Sequence, residues 1–331
     1  MRVFLTGGTG FVGREVARLL RARGDDVRAL VRTPADAPDA PGQVRALAAL
    51  GCELVQGDLS DEEALRRACT GVDAVIHCAA VYAVGVPASR RGELVDANVC
   101  GTERVLGAAL ASGVARAVYV STVAVFGDTG GTVADETWVR SAGLAYTSAY
   151  EQTKVEAQER ACEIAGRGLE LVVVQPGMVY GPGDTSELGG LLDRFLAGRL
   201  PLLPFPQLGV CPVHRDDVAA GILLALDKGA SGASYVLAGR PLRMQELLQV
   251  LARVAGRAAP RANLPTVLLR RLAPIAPLVG PLLGLPANLR EVLSASDGVT
   301  FWASSARAER ELGWTARPLD EGLATLVATA G

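Results

Sequence analysis

The sequence predicts an α/β protein: a doubly wound parallel sheet with a smaller, mostly helical C-terminal lobe. Two observations predict it. Short, nearly continuous apolar runs alternate with helical patterns through the first half of the chain, as strands buried on both faces and joined by crossover helices require. The first of those runs leads straight into glycines at 7, 10 and 13, and an amphipathic helix follows.

That opening stretch, Met1-Arg-Val-Phe-Leu-Thr6-Gly7-Gly8-Thr9-Gly10-Phe11-Val12-Gly13, is built like a phosphate cradle. Gly7 permits a tight turn. Gly10 lacks a Cβ, so a pyrophosphate can approach the backbone. Gly13 lets the helix pack closely on the strand, and the helix N-terminus offers free N–H groups and a positive dipole. An ordinary glycine-rich turn would not explain the three-residue spacing.

The remaining strands are expected at Val27–Arg32, Glu53–Gln56, Ala74–Cys78, Ala117–Ser121 and Leu171–Gln175, after a first at Val3–Thr6. Helices fall near 11–23, 61–70, 89–112 and 147–166. In such a sheet, ligands bind outside the carboxyl ends of the strands. After Gln175 the pattern loosens, and Pro176, Gly177, Gly181, Pro182 and Gly183 mark a long loop. Residues 186–198 look helical, 200–206 rigid and apolar, and 243–256 helical again behind a strand at Ala233–Ala238. Residues 303–326 read as two short charged helices. The expected division is 1–175 for the nucleotide-binding domain and 176–331 for a substrate lobe, some of whose segments return to the first core.

Composition narrows the partners. Half of the 331 residues are hydrophobic, which allows a sizeable core. Basic and acidic residues number 33 and 35, with no basic stripe, so nucleic acid is excluded as a partner. Six cysteines lack CxxC spacing and there are only two histidines, so no metal site is expected. Such cysteines act as small core residues and suit a reducing cytoplasm. A fold that begins at residue 2 leaves no room for a secretory leader. The stretch 264–286 is very apolar, but Arg270, Arg271 and five prolines interrupt it, so no transmembrane segment is expected. A pair of short helices over a pocket is the leading expectation there, and peripheral membrane contact the alternative.

Tyr150 and Lys154 stand four apart in a helical pattern, so their side chains share a face. A tyrosine hydroxyl titrates near 10, and a nearby ammonium favours its phenolate. The pair thus makes tyrosine a usable proton donor or acceptor. Taken alone, this spacing also describes a solvated helix face; the phosphate loop upstream turns the reading toward chemistry. Ser121 and Thr122 end an apolar run, where a hydroxyl orients a substrate oxygen toward Tyr150 or merely caps the turn. His77 lies inside a strand pattern and reads as a core histidine.

These residues sit within a wider set: Gly57-Asp58-Leu59, His77-Cys-Ala-Ala80, Asn98-Val-Cys-Gly-Thr102, Tyr119 to Gly127, Gln175 to Pro182 and His214-Arg-Asp-Asp-Val218. With the opening loop, Tyr150/Lys154 and the tail Ser304–Trp314, the chain resembles the extended short-chain dehydrogenase/reductases, the NAD-dependent epimerase/dehydratase superfamily, over nearly its whole length. The resemblance implies a Rossmann-type fold and assigns roles. Tyr150 is the acid/base, and Lys154 tunes it and binds the nicotinamide ribose. Thr122 is the catalytic hydroxyl, with Ser121 its neighbour. Gly7, Thr9, Gly10, Phe11 and Val12 hold the cofactor phosphates, and Asp58 and Leu59 flank the adenine. Ala79 and Ala80 line the ribose and phosphates, and Pro176, Gly177 and Val179 cover the nicotinamide. Asn98 ties backbone elements together. A homodimer through 89–112 and 147–166 is also implied.

The cofactor follows from one position. NAD sites end their second strand on an acidic residue that bonds the ribose 2′-hydroxyl. Here Val31 stands there and Arg32 follows, and a guanidinium pairs with a 2′-phosphate. NADP(H) is therefore the expected preference; if Arg32 only stacks on adenine, NAD(H) serves as well.

Three functions compete. Val27 to Pro34 looks like the dihydroflavonol-4-reductase and 3β-hydroxysteroid dehydrogenase branch, which implies a carbonyl reductase or alcohol dehydrogenase. The carboxyl half also looks like nucleotide-sugar and hopanoid-associated sugar epimerases, which need cations for a diphosphate, such as Arg194, Arg199 and Arg215. The apolar 200–213 segment, Tyr82, Phe205 and 264–286 favour a small hydrophobic ketone or alcohol. Val123 and Ala124 stand where a 4,6-dehydratase carries an acidic pair. A non-catalytic NAD(P) sensor is the third reading, although such proteins commonly lack the Tyr or the Lys.

Overall fold

The computed structural model describes residues 1–141, 143–260, 262–274, 276 and 286–330. The apolar runs become β1 (Arg2–Thr6), β2 (Asp26–Val31), β3 (Glu53–Gln56), β4 (Ala74–His77), β5 (Arg116–Val120) and β6 (Glu170–Pro176). Among them run α1 (Gly13–Ala22), α2 (Gly42–Ala49), α3 (Glu62–Cys69), α4 (Arg91–Val95), α5 (Gly101–Ala111) and α6 (Ala149–Ala165). Beyond them follow β7 (Met178–Tyr180), α7 (Glu187–Leu196), β8 (Leu202–Leu203), β9 (Gly209–Val210), β10 (Pro212–His214), α8 (Arg215–Lys228) and β11 (Ser234–Leu237). The chain ends with β12 (Leu242–Arg243), α9 (Met244–Val254), β13 (Ala262–Asn263), α10 (Thr266–Leu272), α11 (Leu289–Ser296), α12 (Ala306–Leu312) and α13 (Leu319–Ala330).

Seven strands form one sheet in the order β11-β6-β5-β4-β1-β2-β3, every pair parallel. The order reverses at β1, which pairs with both β2 and β4, so the crevice opens above the carboxyl end of β1. Side chains alternate across the sheet. Val3 and Leu5 join one apolar layer with α1, α8 and α12, while Phe4 joins the other with α3, α5 and α6. A separate core of α7, α9 and α13 fills the C-terminal lobe.

Three features depart from the sequence expectations. Helix α8 went unread because Val218, Ala219, Ile222, Leu223, Ala225 and Leu226 are all buried, and an apolar run on every face shows no helical period. Helix α2 has the opposite problem, burying only Val44 and Leu47. The loop expected after Gln175 contains β7, which exists only through parallel pairing with the distant β10. Of the apolar 264–286 stretch, the helix Thr266–Leu272 is seen, and residues 275 and 277–285 lie outside the described residues. Among the described residues no helix is long and apolar enough to cross a membrane, and no group of three or more His, Cys, Asp or Glu stands ready for a metal.

Candidate active site

The opening loop turns where expected. Gly7 has φ +73°, and a Cβ there would meet Ala79 N at 2.6 Å, so the β1 loop packs directly on the backbone after β4. A Cβ on Gly13 would meet Gly7 O at 2.1 Å, which is why α1 can begin so close under the loop. Gly10 is exposed and its N–H closes the turn onto Gly7 O at 2.9 Å. Among the described residues, the N–H groups of Phe11 and Val12 have no protein acceptor. Donors left free at a helix N-terminus above a glycine turn fit a dinucleotide pyrophosphate. Arg14 and Arg215 flank the Phe11 ring, 5.6 and 5.1 Å from its centre.

A cleft of about 830 Å³ runs along the edge strand β3 to its carboxyl end and that of β2, lined by Arg28, Arg32, Glu53, Gln56, Asp58 and Arg67, among others. Arg28 is spent on three carbonyls at the C-terminal end of α3, those of Arg67, Ala68 and Thr70, and on Glu53, 3.0 Å away. Arg32 is exposed and, among the described residues, has no hydrogen bond or ion pair. Asp58 Oδ1 accepts from the N–H and hydroxyl of Ser60 at 2.7 and 2.6 Å. Those bonds hold its carboxyl below the usual range, and the Arg32 charge adds to the effect. Leu59 turns inward, onto Gly101 of α5.

Tyr150 sits in the first turn of α6, whose N-cap Ser148 accepts from Glu151 N–H at 3.1 Å. Burial pushes the Tyr150 phenol above its ordinary value; the Lys154 ammonium pulls it down, Tyr119 adds to the rise, and the nearby Thr122 hydroxyl opposes it. The net direction reverses the lowering expected from Lys154 alone, because desolvation outweighs the charge. Lys154 is buried, and burial lowers its own value. Its Nζ donates to Tyr119 Oη at 3.1 Å and to Val120 O at 3.0 Å. The ring of Tyr82, half exposed, meets Tyr150 edge-on at 4.8 Å.

The two hydroxyls after β5 part company. Ser121 Oγ donates to Gln158 Oε1 at 2.6 Å, and Ser121 N–H extends the β6 ladder to Val174 O, so this residue is held against α6. Thr122 caps the short helix 123–126 by accepting from Ala124 N–H at 3.2 Å and lies toward Tyr150. Asn98, in a π-helical turn between α4 and α5, bonds both backbone groups of Val81 and the Thr153 hydroxyl. It ties the β4 loop to α6. His77 bridges Thr6 Oγ1 at 2.6 Å and Thr102 Oγ1 at 3.1 Å; burial keeps it neutral, with its pKa lowered to about 3.

Pro176 ends β6, and Gly177 must lack a side chain because a Cβ would meet Cys211 O at 2.2 Å. Val179 follows in β7, beside Val213 of β10. Ala79 N–H donates to Thr6 Oγ1 at 3.3 Å, and Ala80 is exposed at the rim. Of the three arginines offered for a diphosphate, Arg215 is committed to Pro182 O and Asp216, while Arg194 and Arg199 are exposed. Phe205 packs with Leu264 and Leu272 in the lobe. The sequence marks Tyr119 through the apolar β5 pattern and as the first residue of the Tyr119–Gly127 stretch, but gives it no role, because its contact with Lys154 spans 35 residues.

Residues 3–238 match the NAD dependent epimerase/dehydratase family. The chain is 32% identical to the 4-hydroxy-2-methyl-3-oxo-4-farnesyl-3,4-dihydroquinoline-1-oxide ketoreductase of Stigmatella aurantiaca, over 96% of this chain and 92% of that one. It is 31% identical to the 2-alkyl-3-oxoalkanoate reductase of Stenotrophomonas maltophilia, over 100% and 99%. The crystal structure of gox2253 superposes with a TM-score of 0.81 at 32% identity, covering 98% of this chain and 96% of that one. The family match spans the parallel sheet from β1 through β11, with the phosphate loop and Tyr150 inside it, and the chain belongs to the NAD dependent epimerase/dehydratase family.

Proposed function

We propose that the chain is an NADP(H)-preferring oxidoreductase that reduces the carbonyl of a small hydrophobic molecule or oxidises the matching alcohol. The observation that carries this reading is Tyr150: a phenol with a raised pKa, beside Thr122 and the Lys154 charge, on the same sheet edge as the phosphate loop. The backbone at Gly7, Thr9, Gly10, Phe11 and Val12 would hold the pyrophosphate, Arg32, Asp58 and Leu59 the adenosine end, and Ala79, Ala80 and Lys154 the riboses. Pro176, Gly177 and Val179 would cover the nicotinamide. When bound, the cofactor supplies hydride to the carbonyl carbon. Tyr150 holds its proton at neutral pH and donates it to the oxygen as negative charge develops there. Thr122 donates a second hydrogen bond to that oxygen, and the Lys154 ammonium favours the phenolate left behind. The ketoreductase and oxoalkanoate reductase relatives support this direction of chemistry.

A sugar-nucleotide epimerase is the second reading, favoured by the family's own range. It needs cations facing the substrate, and Arg215 is already bound to Pro182 O. The same reading of the chain includes a cytoplasmic homodimer through 89–112 and 147–166. Val267 and Leu268, exposed on α10 beside Arg270 and Arg271, support a peripheral membrane contact.

The test is NADPH oxidation with a panel of aliphatic and aromatic ketones for wild type and Tyr150→Phe, beside chromatography of sugar nucleotides incubated with NAD and the protein, because epimerisation leaves no net change in the cofactor. Ketone turnover in wild type, lost in the variant with NADPH binding kept, is expected. Full turnover by the variant overturns the mechanism, and activity on sugar nucleotides alone moves the chain to the epimerases.

A further inference from the structure

Helix α11 lies about 140 residues along the chain from α6, yet its Glu291 reaches the start of the helix that carries Tyr150. Glu291 Oε1 accepts from Ala149 N–H at 2.7 Å. Ala149 is the first residue of α6 and the immediate neighbour of Tyr150. The first N–H groups of a helix find no acceptor inside it, and a carboxylate there also meets the positive end of the dipole. Glu291 is only 7% exposed. Its other oxygen accepts from Asn288 Nδ2 at 2.8 Å, so the carboxylate is held from both sides.

The same helix grips the opposite wall of the site. Asn288 N–H donates to Gly85 O at 3.1 Å. A Cβ on Gly85 would meet Val292 Cγ2 at 2.7 Å, so α11 seats directly on the loop that follows Tyr82. Helix α11 thus holds both the loop of Tyr82 and the helix of Tyr150, the two elements whose rings meet edge-on.

We propose that Glu291 is a positioning residue for carbonyl reduction: through Ala149 N–H it fixes the first turn of α6 against the C-terminal lobe and so sets where the Tyr150 hydroxyl stands. It touches neither substrate nor cofactor, and the inference rests on Tyr150 being the proton donor. Without the carboxylate, the first turn of α6 loses its tie to the lobe and the phenol drifts. A drift of about 1 Å at a reacting group costs up to about 100-fold in rate.

The experiment compares wild type, E291A, E291Q and Y150F on one ketone that wild type reduces, with kcat expressed per NADPH-binding site. E291A should lose about tenfold or more in kcat, with NADPH Kd within about twofold. E291Q keeps an oxygen for Ala149 N–H and should stay within about threefold of wild type. A merely structural role would lower Tm and the number of binding sites but not kcat per site, so wild-type kcat per site in E291A overturns the proposal. Equal losses in E291A and E291Q overturn it too. If E291A does not fold, E291D keeps the charge but draws the carboxylate back by one methylene from Ala149 N–H, and an unchanged kcat per site there is the overturning result. Y150F separates the two ideas: an inactive Y150F with an unaffected E291A sinks only the role of Glu291, whereas an active Y150F sinks both.

Discussion

Lys154 and Tyr119 are joined by a hydrogen bond of 3.1 Å from Nζ to the phenol oxygen, with the ammonium 4.8 Å from the centre of the same ring. The lysine one turn after Tyr150 is therefore steered from strand β5, while its charge still acts on Tyr150. Tyr119 is 1% exposed, so its ring cannot swing away.

Tyr119→Phe keeps that ring and removes only the acceptor. A hydrogen bond to a charged group contributes about 1.5–3 kcal/mol, so a loss of about tenfold or more in kcat/KM is expected if the bond fixes Lys154. Steady-state kinetics beside a circular dichroism spectrum checks it. A folded variant at wild-type efficiency would show that Val120 O holds the lysine unaided.

The raised pKa of Tyr150 carries a sign. Reduction needs the protonated phenol, and burial raises the pH at which that proton leaves. The rate of ketone reduction should stay level through neutral pH and fall only in the alkaline range. A pH–rate profile of kcat tests this; a fall centred near pH 7 would contradict it.

His77 links the phosphate loop at Thr6 to Thr102 and stays neutral, its pKa lowered to about 3. The unfolded chain binds this proton near pH 6.5, so between about 6.5 and 3 the unfolded state holds more protons than the folded one. Stability from this group is complete above about pH 6.5 and declines by up to about 1.4 kcal/mol per unit as pH falls. Urea unfolding at pH 7 and pH 5 should show a shallower pH dependence for His77→Gln than for wild type. Parallel curves would refute the assignment.

Arg32 has no partner among the described residues and lines the cleft at the end of β2. A guanidinium paired with a 2′-phosphate strengthens binding by about 1.5–3 kcal/mol. Arg32→Ala should raise KM for NADPH about tenfold or more and leave NADH nearly unchanged. Equal effects on both cofactors would mean that Arg32 only stacks on adenine.

Legibility in the sequence followed the range of the interactions. All seven strands of the sheet, the glycine turn and the Tyr150/Lys154 helix were readable because each rests on a local pattern: an apolar run, three glycines, a one-turn spacing. Helix α8 was not, since burial on all sides erased its period. Strand β7 was not, because three residues become a strand only when β10 lies beside them.

The candidate site divides the same way. Residue types and spacing alone named Tyr150, Lys154, Ser121 and Thr122, and chain order put them on one edge of the sheet. Only the folded chain decided that Ser121 turns to Gln158 while Thr122 lies toward Tyr150. It also decided that Lys154 leans on Tyr119, that burial outweighs charge at the phenol, and that Glu291 holds the first turn of α6. Local chemistry is written in neighbouring residues. Desolvation and hydrogen bonds between segments 35 to 142 residues apart come into being only when the sheet brings those segments together.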